Sequence, residues 1–172
     1  MNQNNDKTFK VIIEGSKKTS KKQLLCELIQ QQFNQNLIGP DFGIEQVQYL
    51  KYNIKLQIWD TYKQQDHMKL IIQYYRATNI ALMVYDVGQI ETFKLCSIYI
   101  EQLRSECPQN TQIMLIGQQF KEERQVNVDE AVVFAEMHSL TYTEINYLED
   151  TTETMSQLKQ RIVALAINNE LK

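Results

Sequence analysis

Residues Asn53–Asp60 read Asn-Ile-Lys-Leu-Gln-Ile-Trp-Asp, and their pattern decides the fold. Ile54, Leu56 and Ile58 alternate with polar residues, which is the period of a strand buried on one face. The preceding segment Phe42–Leu50 also has strand character, and only a tight connection separates the two segments. The pair therefore predicts an antiparallel hairpin.

Strands and helices alternate through the rest of the chain. The other predicted strands are Phe9–Glu14, Asn79–Asp86, Gln112–Gly117 and Leu140–Ile145. The predicted helices are Lys21–Phe33, Asp66–Tyr75, Glu91–Glu106, Val128–His138 and Thr152–Ile167. This alternation predicts an α/β fold, a doubly wound and mostly parallel six-stranded sheet with one antiparallel edge strand and flanking helices. Ligands of such sheets bind at the carboxyl ends of the strands.

Composition limits the classes of partner. The chain has 172 residues, which suits one domain, predicted at residues 9–168 with short tails at 1–8 and 169–172. Its net charge of -3 does not favour nucleic acid as a partner. We therefore expect proteins to be the main partners.

Cysteine usage and the termini bear on location. Cys26, Cys96 and Cys107 have no metal-ligand spacing, and an odd number argues against a full set of disulfides. Cys26 and Cys96 are expected to be buried thiols because they fall in helical patterns. A reducing compartment and a cytoplasmic location are expected, and partners could link the protein to the cytoskeleton or to organelles. The last residues contain no cysteine for prenylation, so no direct lipid anchor is expected.

Several segments occur in an order that is typical of one protein family. They are Asp41–Ile44, Ile54–Thr61, Tyr74–Arg76, Ala81–Val87 and Arg124–Val126. With them the chain resembles Rab-like small GTPases of the Ras superfamily from about Phe9 to Ile167. The resemblance implies the Ras-like small-GTPase fold, of the P-loop NTPase type, with a site for GTP or GDP and Mg²⁺.

The phosphate-binding loop keeps part of the family pattern. That pattern is Gly-x-x-x-x-Gly-Lys-Ser/Thr, and residues 15–22 read Gly-Ser-Lys-Lys-Thr-Ser-Lys-Lys. Gly15 and Lys21 match, whereas Ser20 replaces the second glycine and Lys22 replaces the hydroxyl that holds Mg²⁺. The resemblance implies residual phosphate binding by Gly15, Lys21 and Asp60. The lysines of this loop are either an anion site or a solvated charge run.

The two switch segments also depart from the family pattern. Leu37 aligns with the second Mg²⁺-binding threonine, and an apolar side chain offers the ion no ligand. Residues 60–64 read Asp-Thr-Tyr-Lys-Gln, so Lys63 replaces a glycine, whereas Gln64 stands at the position of the catalytic glutamine. We expect Gln64 to be inactive, no residue to be catalytic and no metal to be bound.

Guanine recognition is altered at both of its loops. The family motif Asn-Lys-x-Asp aligns with Gln118, Gln119, Phe120 and Lys121, so the acidic residue that reads the base is replaced by a lysine. The later Ser-Ala-Lys motif aligns with residues 146–148, which read Asn-Tyr-Leu. The resemblance therefore implies a degenerate guanine site made by Gln118, Gln119 and Lys121.

Three aromatic residues match the positions at which Rab-type proteins contact partners. They are Phe42, Trp59 and Tyr74. Aromatic side chains anchor interfaces because they bury a large area at a low entropy cost. The alternative interpretation is that Phe42 and Trp59 are ordinary core or half-buried strand residues.

Together these features predict a pseudo-GTPase that is not an enzyme and needs no cofactor. It would act as a protein-interaction or scaffold subunit of a stable multi-subunit complex. The alternative is a divergent Rab-type switch in vesicle transport that binds GTP or GDP with Mg²⁺.

Overall fold

The computed structural model describes residues 6–30, 41–61 and 68–170, with side chains for all of these except residues 68–71. The strands are β1 Asp6–Glu14, β2 Phe42–Tyr49, β3 Tyr52–Asp60, β4 Ile80–Asp86, β5 Gln112–Gln119 and β6 Thr141–Asn146. The helices are α1 Lys21–Leu28, α2 Met68–Tyr75, α3 Ile90–Lys94, α4 Cys96–Glu106, α5 Val128–Met137 and α6 Thr152–Glu170.

The six strands form one sheet in the order β2-β3-β1-β4-β5-β6. The edge strand β2 is antiparallel to β3, and every other neighbouring pair is parallel. The predicted fold class is therefore confirmed, including the edge hairpin. β1 lies between β3 and β4, so the loop that follows β1 leaves the carboxyl edge near the middle of the sheet.

Helices cover both faces of the sheet because successive strand residues point to opposite sides. On β4, Leu82 and Val84 join the core under α1 and α6, whereas Ala81 and Met83 join the cores on the other face. Those opposite cores contain residues of α2, α3, α4 and α5. The continuous apolar run of β4 is thus explained by burial on both sides.

Several element bounds differ from the predicted ones by one or two residues, and α1 ends earlier than predicted, at Leu28. The predicted helix Glu91–Glu106 is two helices, because Leu95 interrupts it between α3 and α4. β1 begins at Asp6 and α6 ends at Glu170, so both extend slightly beyond the residues assigned to the domain from the sequence. The core face runs through the break at Leu95, since Phe93, Cys96 and Ile100 share one core.

The three cysteines are buried and carry free thiols, which confirms the burial expected for Cys26 and Cys96. Burial raises the pKa of Cys96 to about 12, so this thiol stays protonated near neutral pH. No helix within the described ranges combines the length and apolarity that crossing a membrane requires.

The central position of Leu82 generates a stability prediction. Leu82 is fully buried on β4, so Leu82→Ala is expected to lower the free energy of unfolding by about 2–5 kcal/mol. Urea denaturation followed by circular dichroism measures this change. Ile98→Ala on α4 is the control, because Ile98 is 60% exposed and its truncation should cost less than about 0.5 kcal/mol. Equal effects of the two substitutions would contradict this arrangement of the core.

Candidate functional site

The loop between β1 and α1 begins at a glycine that no other residue can replace without strain. Gly15 has a φ of +150°, and a Cβ built on it would lie 2.4 Å from the backbone oxygen of Val84. Such a contact is with rigid backbone of the neighbouring strand, so it cannot be relieved by a side-chain movement. The loop therefore turns tightly against the carboxyl end of β4.

Lys21 is the charged centre of this loop. Its side chain is buried, and its Nζ donates hydrogen bonds to the backbone oxygens of Gly15 at 2.7 Å and Ser16 at 2.8 Å. Burial lowers the pKa of Lys21, and the nearby Asp60 and Glu14 carboxylates oppose that shift. The ammonium is thereby held beneath the loop by its own backbone, in a position suited to a phosphate group.

The lysines of the loop do not form one class. Lys17 and Lys18 are exposed, whereas Lys21 is only 1% exposed. The interpretation as a solvated charge run therefore suits Lys17 and Lys18 and fails for Lys21. Thr19 shapes the turn between them, because its hydroxyl donates to the Ser16 oxygen at 2.7 Å.

Asp60 lies beside this loop because of the strand register. Ile13 on β1 is paired with Asp60 on β3, and the hydroxyl of Thr61 donates to the Ile13 oxygen at 3.0 Å. Asp60 is 2% exposed, and its attraction for Lys21 opposes the effect of burial on the lysine. The structure thus places Gly15, Lys21 and Asp60 together at the carboxyl edge of β1 and β3.

Lys22 does not fit the Mg²⁺ arrangement that the resemblance implies. Its Nζ lies 3.4 Å from Oδ1 of Asp41, and the backbone oxygen of Asp41 accepts a hydrogen bond from the Asp60 N–H at 2.9 Å. A protonated ammonium has no lone pair for a metal ion, and it repels a cation. The Asp60 carboxylate could still serve as an oxygen ligand for a metal ion, but Lys22 supplies positive charge where the family has a hydroxyl.

Three other residues of the two switch segments, Leu37, Lys63 and Gln64, lie outside the described residues.

Glu14 is a site residue that the sequence analysis did not single out. It is fully buried, and its carboxylate accepts hydrogen bonds from the Gly15 N–H at 2.9 Å and the Tyr75 hydroxyl at 2.7 Å. Burial, reinforced by this carboxylate, raises the pKa of Tyr75. The signal in the sequence was a charge at the end of an apolar strand, directly before Gly15. Glu14 therefore ties the start of the loop to the last residue of α2.

The residues predicted for guanine recognition separate into buried and exposed ones. Gln118 is fully buried at the carboxyl end of β5, and its Nε2 donates to the Tyr147 hydroxyl at 3.1 Å and to the Ser20 oxygen at 3.5 Å. Gln119 donates through Nε2 to the backbone oxygen of Lys121 at 3.1 Å. The Lys121 side chain is exposed. Gln118 alone of the three thus faces the phosphate-binding loop.

An aromatic pair lies next to Gln118. The rings of Phe120 and Tyr147 are stacked, with centroids 4.6 Å apart and planes 5° apart. The Tyr147 N–H donates to the Gln119 oxygen at 2.8 Å, which fixes the β6–α6 loop against the end of β5. Tyr147 lies at a changed position of its motif, but neither ring had a predicted role, because stacking between two loops is invisible in the sequence.

Phe42, Trp59 and Tyr74 are in contact with one another. Phe42 and Trp59 are directly paired across β2 and β3, with ring centroids 4.2 Å apart. Tyr74 of α2 meets the edge of Trp59, with centroids 5.4 Å apart and planes at 78°. All three are half-buried, and Trp59 packs on the core that contains Ile12. We refer to these three residues as the aromatic trio.

Comparison with known proteins identifies the family. A model described as Ras family matches residues 10–166. The Ras-related protein Rab-11A of Dictyostelium discoideum is 32% identical over 151 residues, which cover 85% of this chain and 71% of that protein. The Ras-related protein rab-11.1 of Caenorhabditis elegans is also 32% identical over 151 residues, covering 85% of this chain and 72% of that protein.

These matches correct the prediction that the chain is not an enzyme. That prediction rested on replaced positions such as Lys22 and Leu37, but the similar proteins are Rab GTPases, which hydrolyse GTP. The loop geometry depends on Gly15 and Lys21, and both are retained in their expected places. Rab GTPases use GTP or GDP with Mg²⁺, so the comparisons support the alternative prediction for the cofactor and not its absence. The chain therefore belongs to the Ras family and is a Rab-like small GTPase.

Proposed function

We propose that this Rab-like small GTPase acts as a docking subunit whose aromatic trio binds a protein partner in a larger assembly. The observation that carries the proposal is the contact of Phe42, Trp59 and Tyr74 across β2, β3 and α2. Rings that are already packed against each other lose little conformational freedom on binding, so their buried area contributes more fully to affinity.

The burial of the trio suits an anchor of this kind. The Trp59 ring packs against the core that contains Ile12, and this packing fixes the position of the ring. Trp59 is nevertheless only half-buried, so part of its ring is accessible to a partner. Its indole Nε1 is buried and has no hydrogen-bond partner within the described ranges. Partly exposed aromatic residues with a rigid base are typical of interface hot spots.

A second candidate is a nucleotide-dependent switch in vesicle transport, and the geometry at Lys21 favours it. The buried ammonium, Gly15 and Asp60 lie together at the carboxyl edge of the sheet. In such a switch, bound GTP or GDP changes the affinity of the partner. Both candidates use the same trio, and they differ in whether docking follows the nucleotide state.

Truncation of the trio should weaken the partner complex. A protein that co-purifies stably with the wild-type chain is purified, and its Kd is measured by calorimetry. Trp59→Ala is expected to raise this Kd by at least about 30-fold, as for a hot-spot aromatic residue. Phe42→Ala should act in the same direction if the Trp59 variant is unstable.

The Kd measurement includes a control variant and a comparison of two nucleotides. Met137→Ala on α5 is the control, because Met137 is 79% exposed and lies outside the trio. An equal Kd for Trp59→Ala and Met137→Ala would contradict docking at the trio. Repeating the measurement with GDP and with a non-hydrolysable GTP analogue separates the candidates, since a switch predicts different Kd values and a permanent docking subunit predicts the same one.

The position of Lys22 predicts an unusual response to Mg²⁺. GDP at 100 times its Kd should stabilise the protein by about 2.7 kcal/mol in a thermal-shift series. Chelation of Mg²⁺ is expected to change the Kd for GDP by less than about tenfold, because the Lys22 ammonium already supplies positive charge near Asp41.

Lys22→Ser is the matched variant, since it restores the hydroxyl of the family motif. Its affinity for GDP should fall by more than about tenfold when Mg²⁺ is removed, because a hydroxyl oxygen can serve as a ligand. A strong loss of GDP affinity in the wild-type protein on chelation would contradict the role given to Lys22.

A further inference from the structure

The stacked pair Phe120 and Tyr147 joins two loops that the family resemblance assigns to the nucleobase. Phe120 belongs to the segment after β5, and Tyr147 belongs to the segment after β6. Their rings are nearly parallel, with centroids 4.6 Å apart, which is the geometry that a planar base adopts on an aromatic side chain. The face of Phe120 that could receive a base is therefore covered by the Tyr147 ring.

The buried side chain of Gln118 forms a hydrogen bond with the hydroxyl of Tyr147. Its Nε2 donates to the Tyr147 hydroxyl at 3.1 Å and faces the Ser20 backbone oxygen at 3.5 Å. Because a carbonyl oxygen only accepts hydrogen bonds, the amide must turn its Nε2 toward Ser20. The Gln118 side chain thus links the Tyr147 hydroxyl of the β6–α6 loop to Ser20, which directly precedes α1.

The other end of the Gln118 amide has an unusual environment. Its Oε1 is buried and has no hydrogen-bond partner among the residues that the structure describes. Gln118 is fully buried, and an unsatisfied buried acceptor of this kind is uncommon in folded proteins. Such an acceptor suits a ligand that carries N–H donors, and the edge of a purine base has them.

We propose that Tyr147 is a plug of the nucleobase subsite, which must leave its stack on Phe120 before a base can enter. The proposal rests on the proposed nucleotide-binding site at Gly15, Lys21 and Asp60. When the Tyr147 ring is displaced, the face of Phe120 becomes available for stacking with the base. Gln118 then offers its Nε2 as a hydrogen-bond donor and its unsatisfied Oε1 as an acceptor. Tyr147 therefore controls how strongly the base contributes to nucleotide affinity.

The plug lowers apparent affinity by competing with the base. Only the fraction of molecules with an open subsite binds the base, so the measured Kd is the intrinsic Kd divided by that fraction. A ligand without a base does not need the subsite and should not respond to the plug. Inorganic tripolyphosphate is such a ligand, and it reports on the phosphate-binding loop alone.

The test compares GDP with tripolyphosphate in titration calorimetry. Tyr147→Ala is expected to bind GDP at least about tenfold more tightly than the wild-type protein, because the subsite is then always open. Its affinity for tripolyphosphate should change by less than about twofold. Tyr147→Phe keeps the stack and loses the hydrogen bond to Gln118, so its gain in GDP affinity should be smaller.

Two further variants guard against loss of folding and unspecific effects. Tyr147 packs against the main core, and Tyr147→Leu retains apolar burial while removing both the stack and the hydroxyl. It should shift GDP affinity in the same direction as Tyr147→Ala. Met137→Ala on α5 is the control, because Met137 is 79% exposed, lies outside the two loops at the nucleobase subsite and should leave both affinities unchanged.

The outcomes separate the plug from the proposed function. Equal GDP affinity in wild-type and Tyr147→Ala proteins overturns the plug and leaves the nucleotide site intact. A parallel gain for tripolyphosphate also overturns the plug, since it reports a general opening of the loop. Binding of GDP by Tyr147→Ala alone supports the plug and removes nucleotide control from the wild-type protein. Failure of both proteins to bind GDP overturns the plug and the nucleotide-dependent switch, whereas docking at the aromatic trio is decided by the Trp59→Ala measurement.

Discussion

The pairing of β1 with parallel strands on both sides is the constraint on which the rest of the structure depends. β3 and β4 align with β1 so that Ile13 faces Asp60 on one side and Leu82 on the other. The loop after β1 must therefore leave the sheet between the carboxyl ends of β3 and β4. Its first residue, Gly15, meets the backbone of Val84 so closely that a side chain cannot be accommodated.

The electrostatics of the site follow from this position. Lys21 is drawn under the loop, where two backbone oxygens accept its hydrogen bonds and two carboxylates, Glu14 and Asp60, favour its charge. Burial opposes the charge of the same ammonium and is the larger effect, so the pKa of Lys21 is lowered. Lys22 adds a second cation at the rim, where Asp41 neutralises part of its charge. Two lysine ammonium groups, those of Lys21 and Lys22, thus lie at the carboxyl edge of the sheet.

Much of this arrangement could be predicted from the sequence, because it depends on periodicity and on short motifs. The alternation in β3 and the apolar run of β4 are local signals, and they predict the hairpin and the central strand correctly. Gly15, Lys21 and Asp60 come together because strand ends in a parallel sheet share one edge. The break at Leu95 was missed, since the apolar positions of α3 and α4 continue across it without interruption.

The contacts between distant loops could not be predicted in the same way. The Glu14–Tyr75 hydrogen bond joins residues 61 positions apart, and the Phe120–Tyr147 stack joins segments after different strands. Neither depends on a spacing that a single sequence displays. The enzyme prediction failed for a related reason. It counted replaced motif residues one by one, whereas family membership is carried by the whole of residues 10–166.

Trp59 has one more consequence for the study of this protein. It is the only tryptophan in the chain, and it lies half-buried between Phe42 and Tyr74. The wavelength of indole emission shifts with the polarity of the surroundings. Because no other tryptophan contributes, a shift in the emission of this protein reports a change in the immediate environment of the trio. The protein therefore carries an intrinsic optical probe within the aromatic trio, and binding of a partner at the trio would be detectable in solution without attaching a dye.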